Sequence, residues 1–564
     1  MIVGIDLGTT NSLVAVWNEN TSELVPNALG QLLTPSVVGL DDEGRILVGQ
    51  AARERLCTHP SLTAALFKRH MGSARTLQLG ATPFRAEELS AMLLRSLKAD
   101  VERAYGEVVT EAVISVPAYF NDAQRKATRI AGELAGLKVD KLINEPTAAA
   151  LAYGLPQHGS ESSFLVFDLG GGTFDVSILE LFDGVMEVRA SAGDNYLGGE
   201  DFDQLLARQF IQAHAEDPDF PDSASISPLL RREAERVRIA LGHSPTSEFV
   251  LQVGARRWQH TFTQQAMATL FEPLLERLRN PVERALRDAR IRSDELDQVL
   301  LVGGATRMPL VRKLAASLFG RFPSVQLNPD ETVALGAAVQ AALKARHAAL
   351  EEVVLTDVCP YTLGIATLRR VGNEHESGHY LPIIERNSTV PVSRVKTVCT
   401  VHEAQELVRV QIYQGESRLV RDNIALGELE IPVPPNKGVV EIDVRFTYDS
   451  NGLLECQVSI PVTGEQYALV IENNPGVLSA DEIAERLHKL EALKVHPRDQ
   501  QVNTLLVARL ERLYEESLGE RRELVDHWAT RFQEALASQD ERVIGQARHE
   551  LNARMAAFES SDGR

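Results

Sequence analysis

The chain has 564 residues, a formal net charge of −20 and four cysteines. That length predicts three or more folding units, the acidity argues against a nucleic-acid partner, which favours a basic face, and Cys57, Cys359, Cys399 and Cys456 lack the paired spacing of a zinc site or a disulfide framework. No apolar run approaches the roughly 18 residues of a membrane span and no basic leader precedes the first strand, so a cytoplasmic protein with no membrane partner is expected.

Residues 2–5 are an apolar run ending in Asp6-Leu-Gly-Thr-Thr-Asn11, and residues 12–16 resume a strand pattern, which reads as strand, tight turn, strand. Lys68 follows Phe67 near an expected helix end, and residues 87–105 place Leu89, Leu93, Leu97 and Val101 four apart on one helical face. A buried strand over 112–117 closes at Pro117, and a helix is expected to begin within 121–125. Residues 142–147 form a short strand that enters an alanine-rich helix over 148–154.

The device at residue 6 then returns. Residues 164–167 are apolar, Asp168-Leu-Gly-Gly-Gly-Thr-Phe-Asp175 follows, and residues 176–179 alternate again. The tip at Gly170, Gly171 and Gly172 carries no side chain, so its backbone N–H groups can close on an anion. Asp168, Thr173 and Asp175 bracket it with the oxygen ligands that Mg²⁺ and phosphate take. On this stretch alone an ordinary glycine turn and a phosphate loop both stay open. The repeat favours two similar lobes gripping one nucleotide's phosphates from opposite sides. A third turn, Val302-Gly-Gly-Ala-Thr-Arg307, precedes a helix expected near Pro309, and its bare backbone suits a flat adenosine. Alternating β and α to about residue 350 predict an α/β domain with helices covering the sheet.

Residues 351–357 are acidic, then apolar, and too short for a core element; Val354 and Leu355 are expected to lie outside any regular element. Period two follows. Val408, Val410 and Ile412 share a face, as do Ile442, Val444 and Phe446, and after a turn at 449–452 so do Leu454, Cys456, Val458 and Ile460. This is an all-β unit ending near Glu472. Ser479 and Glu482 then form a capping box, with Ile483, Leu487 and Leu490 behind it, and helical text runs to about Phe558 with breaks near Pro497 and Gly519.

In order along the chain, residues 6–11, Val116-Pro-Ala-Tyr-Phe-Asn-Asp-Ala-Gln-Arg125, Asn144-Glu-Pro-Thr-Ala-Ala-Ala-Leu-Ala-Tyr-Gly154, residues 168–175, Leu197-Gly-Gly-Glu-Asp-Phe202, residues 303–307 and Asn328-Pro-Asp-Glu331 resemble the DnaK-type heat-shock chaperone family. The resemblance covers nearly all of the chain. It implies an α/β actin-like (duplicated ribonuclease-H-like) ATPase domain over 1–351, a linker over 352–358, a β-sandwich substrate-binding domain over 359–472 and a helical lid over 479–560. It further implies an ATP-dependent chaperone for extended hydrophobic segments of unfolded clients, using ATP/ADP, Mg²⁺ and K⁺. A J-domain co-chaperone would stimulate it, and a nucleotide-exchange factor is a further family partner.

Residue roles follow from the same resemblance. Gly8, Thr9, Thr10, Asn11, Gly170, Gly171, Gly172, Thr173, Gly198 and Gly199 would surround the phosphates, and Asp6 and Asp168 would hold Mg²⁺ through its waters. Lys68, Glu145 and Asp175 would sit around the attacking water, where positioning and charge dominate phosphoryl transfer. Taken singly, Lys68 reads as a solvated surface lysine and Glu145 as a helix N-terminal acid. Glu235, Arg238, Gly303, Gly304, Arg307 and Asp330 would form the adenosine end. Ile365, Thr367, Leu368, Val398, Val401, Val408 and Val410 would line the peptide cleft, with sandwich core the competing reading for Val408 and Val410. Pro117, Arg125, Lys141, Val354, Leu355 and Asp357 would couple the two activities.

The chain departs from the general family pattern in a short segment between Lys68 and Pro117, a long one over 369–384 read as a loop inserted beside the cleft, Thr356 in the linker, Gly242 near adenosine, Lys141 in place of an arginine, and a short helical tail. These departures point to the specialised heat-shock-cognate C branch. A small-molecule kinase of the sugar-kinase type and a filament-forming actin relative would share the hairpins, but neither explains residues 359–564.

Overall fold

The computed structural model describes residues 1–153, 162–182, 185–324, 326–345, 354–371, 374–401, 405–433, 438–449, 452–471, 497–499 and 501–561. The expected capping box at Ser479, with Ile483, Leu487 and Leu490, lies outside the described residues, as do Gly154 and residues 351–353. The chain divides into two compact units, Met1–Pro360 and Tyr361–Arg564.

In the first unit, β1 (Ile2–Asp6), β2 (Asn11–Asn18) and β3 (Thr21–Leu24) form an antiparallel meander. β4 (Glu111–Val116) joins β1 in parallel and β5 (Lys138–Asn144) joins β4, giving the order β5-β4-β1-β2-β3. The same plan repeats in β6 (Ser162–Leu169), β7 (Phe174–Phe182) and β8 (Val185–Asp194), with β9 (Gln298–Val302) parallel to β6. The duplicated hairpin in the sequence is therefore a duplicated sheet. Helix α1 (Ala86–Tyr105) buries Leu89, Leu93, Leu97 and Val101 as their spacing requires, and α2 (Asp122–Leu134) is capped by Asn121.

Two expectations need correction here. The alanine-rich helix α3 (Glu145–Ala152) starts three residues before the alanines, because Pro146 fits the first turn of a helix, where its missing N–H costs nothing. The linker stretch is not irregular: β10 (Val354–Val358) pairs in parallel with β8, matching Met186 to Leu355 and Glu187 to Thr356. A sheet edge with open backbone groups accepts a short β-branched segment readily.

After β8 the unit adds α4 (Gly199–Ala213), α5 (Ser227–Leu241), α6 (Gln264–Ala289), α7 (Pro309–Phe319) and α8 (Thr332–Lys344). Helix α8 lies against both β1 and α3 through small residues. A methyl group on Gly4 would come within 2.1 Å of the Ala338 nitrogen, and one on Gly336 within 1.7 Å of the Ala148 carbonyl oxygen. Backbone thus packs on backbone, and α3, which carries Glu145 at its first position, is fixed by that contact.

The second unit holds two antiparallel sheets. β11 (Leu363–Val371), β12 (Glu374–Ile384), β13 (Val392–Cys399), β14 (Leu407–Gln414), β15 (Ile424–Pro432), β16 (Glu441–Tyr448), β17 (Leu454–Ile460) and β18 (Glu465–Ile471) are arranged as β12-β11-β14-β15 and β13-β16-β17-β18. Residues 374–384, expected as an inserted loop, are a strand paired with β11 from Val371↔Glu374 to Leu363↔Ile384. Its polar text hid it, since only its distal half reaches the core at Ile383 and Ile384. Helices α9 (Gln501–Glu516), α10 (Glu520–Ser538) and α11 (Glu541–Ser561) pack around Leu510, Val525, Trp528, Phe532, Ile544 and Met555. The break at Gly519 is present and a further one falls at Gln539, while the residues that precede Pro497 lie outside the described ones.

We predict that Gly336→Ala lowers stability by about 1–3 kcal/mol, the usual cost of overpacking. Gly438→Ala, whose added methyl meets nothing within 4 Å, is the control. Calorimetric unfolding checks this; equal midpoints for the two variants would contradict the packing argument.

Candidate functional site

Both repeated hairpins end at one cleft of about 380 Å³. Asp6, Gly8, Thr9, Thr10, Asn11, Lys68, Glu145, Asp168, Gly170, Gly171, Thr173 and Gly199 line one end, and Glu235, Arg238, Gly303, Gly304, Arg307 and Asp330 line the other. Gly172, Gly198 and Asp175 are buried beside these residues. Gly172 and Gly198 pack together behind the surface, where a methyl on Gly198 would sit 2.4 Å from the Gly172 nitrogen. Asp175 is 1% exposed and accepts the Tyr119 N–H at 2.9 Å.

Local hydrogen bonds shape each hairpin. The Gly8 N–H donates to Ser12 Oγ at 3.1 Å, and the Ser36 hydroxyl donates to the Gly8 carbonyl at 2.8 Å. At the second tip, Gly199 and Glu200 at the start of α4 donate their N–H groups to the carbonyls of Gly170 and Gly171, both at 3.0 Å. Arg69 donates to the Gly172 carbonyl at 3.1 Å and pairs with Asp201, tying the second hairpin to α4. The two tips touch: a methyl on Gly171 would lie 2.4 Å from Thr10 Cγ2, and one on Gly172 would lie 2.7 Å from Thr9 Cγ2. Glycine is required there by close approach.

Lys68 is buried, against its reading as a surface lysine. It lies in a short 3₁₀ turn (Phe67–His70) entered through Leu66 in the left-handed region, and its Nζ is 2.9 Å from Glu145 Oε1 and 5.6 Å from the centre of the Phe120 ring. Asp6, Asp168 and Asp175 surround this pair. Burial, followed by Glu145, pushes the Asp6 carboxyl up to about 7, against Lys68 and a 2.8 Å hydrogen bond from the Ser115 hydroxyl. Burial, then Glu145, Asp175 and Asp6, hold Asp168 well above the usual carboxylate range. Burial and Glu145 raise Asp175 to about 7 as well, opposed by the Tyr119 N–H, Lys68 and Arg125. One ammonium among four carboxylates leaves a deficit of positive charge, which a divalent cation would meet. Among the described residues no three acidic, histidine or cysteine side chains could hold a metal directly. Mg²⁺ keeps several waters and takes one or two carboxylates plus phosphate oxygens, so the residues fit that ion.

At the far end, Arg238 is held by Asp203 through Nε at 2.6 Å and Nη2 at 3.2 Å. Arg307 is held by Asp330 at 2.8 and 3.0 Å and by Asn328 at 2.6 Å. Glu235 pairs with Arg53 at 3.0 Å. Gly303 has φ 82, and a methyl there would lie 2.4 Å from the Leu169 carbonyl oxygen. Sequence reasoning missed Arg53, Arg69 and Asp203, whose partners are distant in sequence; the adjacency of Arg69 to Lys68 was the available signal.

A polar chain leads from the cleft to β10. Pro117 is buried at the end of β4. Arg125 donates to the carbonyls of Ala118 and Phe120 at 3.0 and 3.1 Å and to Asn144 Oδ1 at 2.7 Å, and Asn144 donates to Asp357. Burial lowers the Lys141 ammonium, with Asp357 opposing. In the second unit Ile365 and Val410 are each 2% exposed and belong to the interior, Thr367, Val398, Val401 and Val408 are half-buried, and Leu368 is 48% exposed.

None of the described helices is long and apolar enough to cross a membrane. The sequence matches the family described as Hsp70 protein over residues 2–81 and 74–562. It is similar to the protein named Chaperone protein DnaK from Thermosipho africanus, 42% identical over 497 residues, 86% of this chain and 81% of the relative. The proteins of that name from Thermotoga neapolitana and Thermotoga maritima are also 42% identical, covering 83% and 86% of this chain and 80% and 82% of their own lengths. A match that runs through both units and both hairpins leaves one conclusion: the chain belongs to the Hsp70 family.

Proposed function

We infer that the cleft is where this Hsp70-type, ATP-hydrolysing chaperone binds and cleaves ATP, and that the buried Lys68–Glu145 pair facing Asp6, Asp168 and the three threonines carries that reading. Thr9, Thr10, Thr173 and the bare backbone of the hairpin tips receive the phosphates. Asp6 and Asp168 hold Mg²⁺ through water; when bound, the ion supplies charge neutralisation at the β- and γ-phosphate oxygens. Lys68, Glu145 and Asp175 sit around the attacking water and orient it. Arg238 and Arg307, fixed by their carboxylates, present flat faces to adenosine, and K⁺ is a further ion at the phosphate end.

The units from residue 1 to 351 and 359 to 472 serve as ATPase and peptide-binding domains, with 352–358 as linker and 479–560 as lid. The clients are extended apolar segments, which Leu368, Val401 and their half-buried neighbours receive, and a J-domain co-chaperone is the partner. The Arg125–Asn144–Asp357 chain couples the ends, because Asn144 precedes Glu145 directly. Thr356 in the linker, Gly242 and Lys141 support the heat-shock-cognate C branch, and a cytoplasmic setting belongs to the same reading.

Two outcomes test this. Thr173→Ala keeps the fold and slows single-turnover hydrolysis about 10²-fold or more, on the scale of a lost transition-state contact; an unchanged rate removes Thr173 from the site. Lys68→Ala loses hydrolysis together with about 3–5 kcal/mol of stability, since it leaves Glu145 buried and unpaired. Adding Glu145→Gln restores the stability but not the hydrolysis. For coupling, Asp357→Ala abolishes the stimulation of turnover by an unfolded peptide while ATP still binds; normal stimulation would make the linker a mere tether.

A further inference from the structure

The end of the cleft assigned above to adenosine holds few groups able to read a base. Arg238 gives Nε and Nη2 to Asp203, Arg307 gives Nε and Nη2 to Asp330 and Asn328, and Glu235 pairs with Arg53. Ile239, Met308, Pro309 and Val333 add apolar surface to the lining, and Ile239 is 53% exposed. Such surface packs against the flat face of any purine, and an apolar wall discriminates poorly between bases of one shape. Gly242 has no side chain to contribute, and a methyl there would lie 3.7 Å from Pro309 Cδ.

His243 is the exception. It stands two residues past the end of α5, next to Gly242, with its backbone N–H bonded to the Ala240 carbonyl at 3.0 Å, and it lines the same cleft. It is exposed, and among the described residues its side chain has no hydrogen bond or ion pair. A neutral imidazole has one N–H donor and one bare nitrogen acceptor, and its two tautomers exchange those roles between the ring nitrogens. One ring position can therefore meet either the 6-amino group of adenine, a donor, or the 6-oxo group of guanine or hypoxanthine, an acceptor. Side chains with a single role cannot do both: a carboxylate only accepts and an ammonium only donates.

We propose that His243 reads the base edge and reads it in both senses, so that the cleft takes 6-amino- and 6-oxopurine nucleoside triphosphates alike. The phosphate end then supplies the affinity, and the base is selected by its shape and not by its hydrogen-bond pattern. The proposal rests on the ATP-binding reading given above and adds the base selectivity of that site.

The test compares the Kd of the full chain, in Mg²⁺, for ATP and for inosine triphosphate, whose hypoxanthine carries the 6-oxo edge without a 2-amino group. The two values should differ by no more than about 10-fold, against the roughly 10⁴-fold that a site with a fixed hydrogen-bonding partner enforces. His243→Glu, which only accepts, should move the preference toward ATP by about 10-fold, and His243→Lys, which only donates, should move it toward inosine triphosphate by about as much. His243 is exposed, so neither substitution disturbs the core. A preference above about 100-fold in the unsubstituted chain would overturn the reading in both senses, and a preference unmoved by either substitution would remove His243 from the base edge. Binding of neither nucleotide to the unsubstituted chain would overturn the ATP-binding reading itself.

Discussion

The structure depends on a charge arrangement that is not neutral within itself. Lys68 and Glu145 are buried together at 2.9 Å, while Asp6, Asp168 and Asp175 crowd the same ammonium. Burying charges without partners costs several kcal/mol each, and the usual response is a shifted pKa. Both raised aspartates at the cleft surface show that response. On the proposed reading the missing positive charge and acceptors would arrive with the ligand: a hydrated Mg²⁺ at Asp6 and Asp168, phosphate oxygens at Thr9, Thr10 and Thr173.

Close backbone approach is what holds the arrangement in place. The tips at Gly171 and Gly172 touch Thr10 and Thr9, Gly336 lies on Ala148, and Gly4 lies on Ala338. These contacts set the depth of the cleft and the position of Glu145 with almost no side chain between the elements. Glu145 then borders Asn144, so the same helix start that lines the cleft also reaches Asp357 in β10. A change at either end has a short path to the other.

The parts legible in the sequence are those encoded locally. The hairpins at residues 6 and 168 announce themselves by turn chemistry, α1 by its four-residue spacing, and the sandwich by period two, because each signal sits within one element. The Lys68–Glu145 pair spans 77 residues and came only through resemblance to a family. Asp175 flanks the glycine turn, but its place near Lys68 and Glu145, with its carboxylate accepting the Tyr119 N–H, depends on contacts distant in sequence. β10 was missed because strand pairing depends on an edge supplied by β8, and β12 because its polar half carries no alternation. Gln539 gave no signal, as left-handed backbone at a glutamine is decided by what its side chain meets.

The central claim, that the cleft is completed by nucleotide and Mg²⁺ together, is tested most directly by calorimetric unfolding of the full chain with ATP, in Mg²⁺ and in EDTA. A ligand that binds the folded state alone stabilises it by RT ln(1 + [L]/Kd), about 2.7 kcal/mol at 100 times Kd. The account predicts a rise of that order with Mg²⁺ and ATP, and loss of most of it in EDTA. An equal rise with ATP in EDTA, or no rise in either, would contradict it.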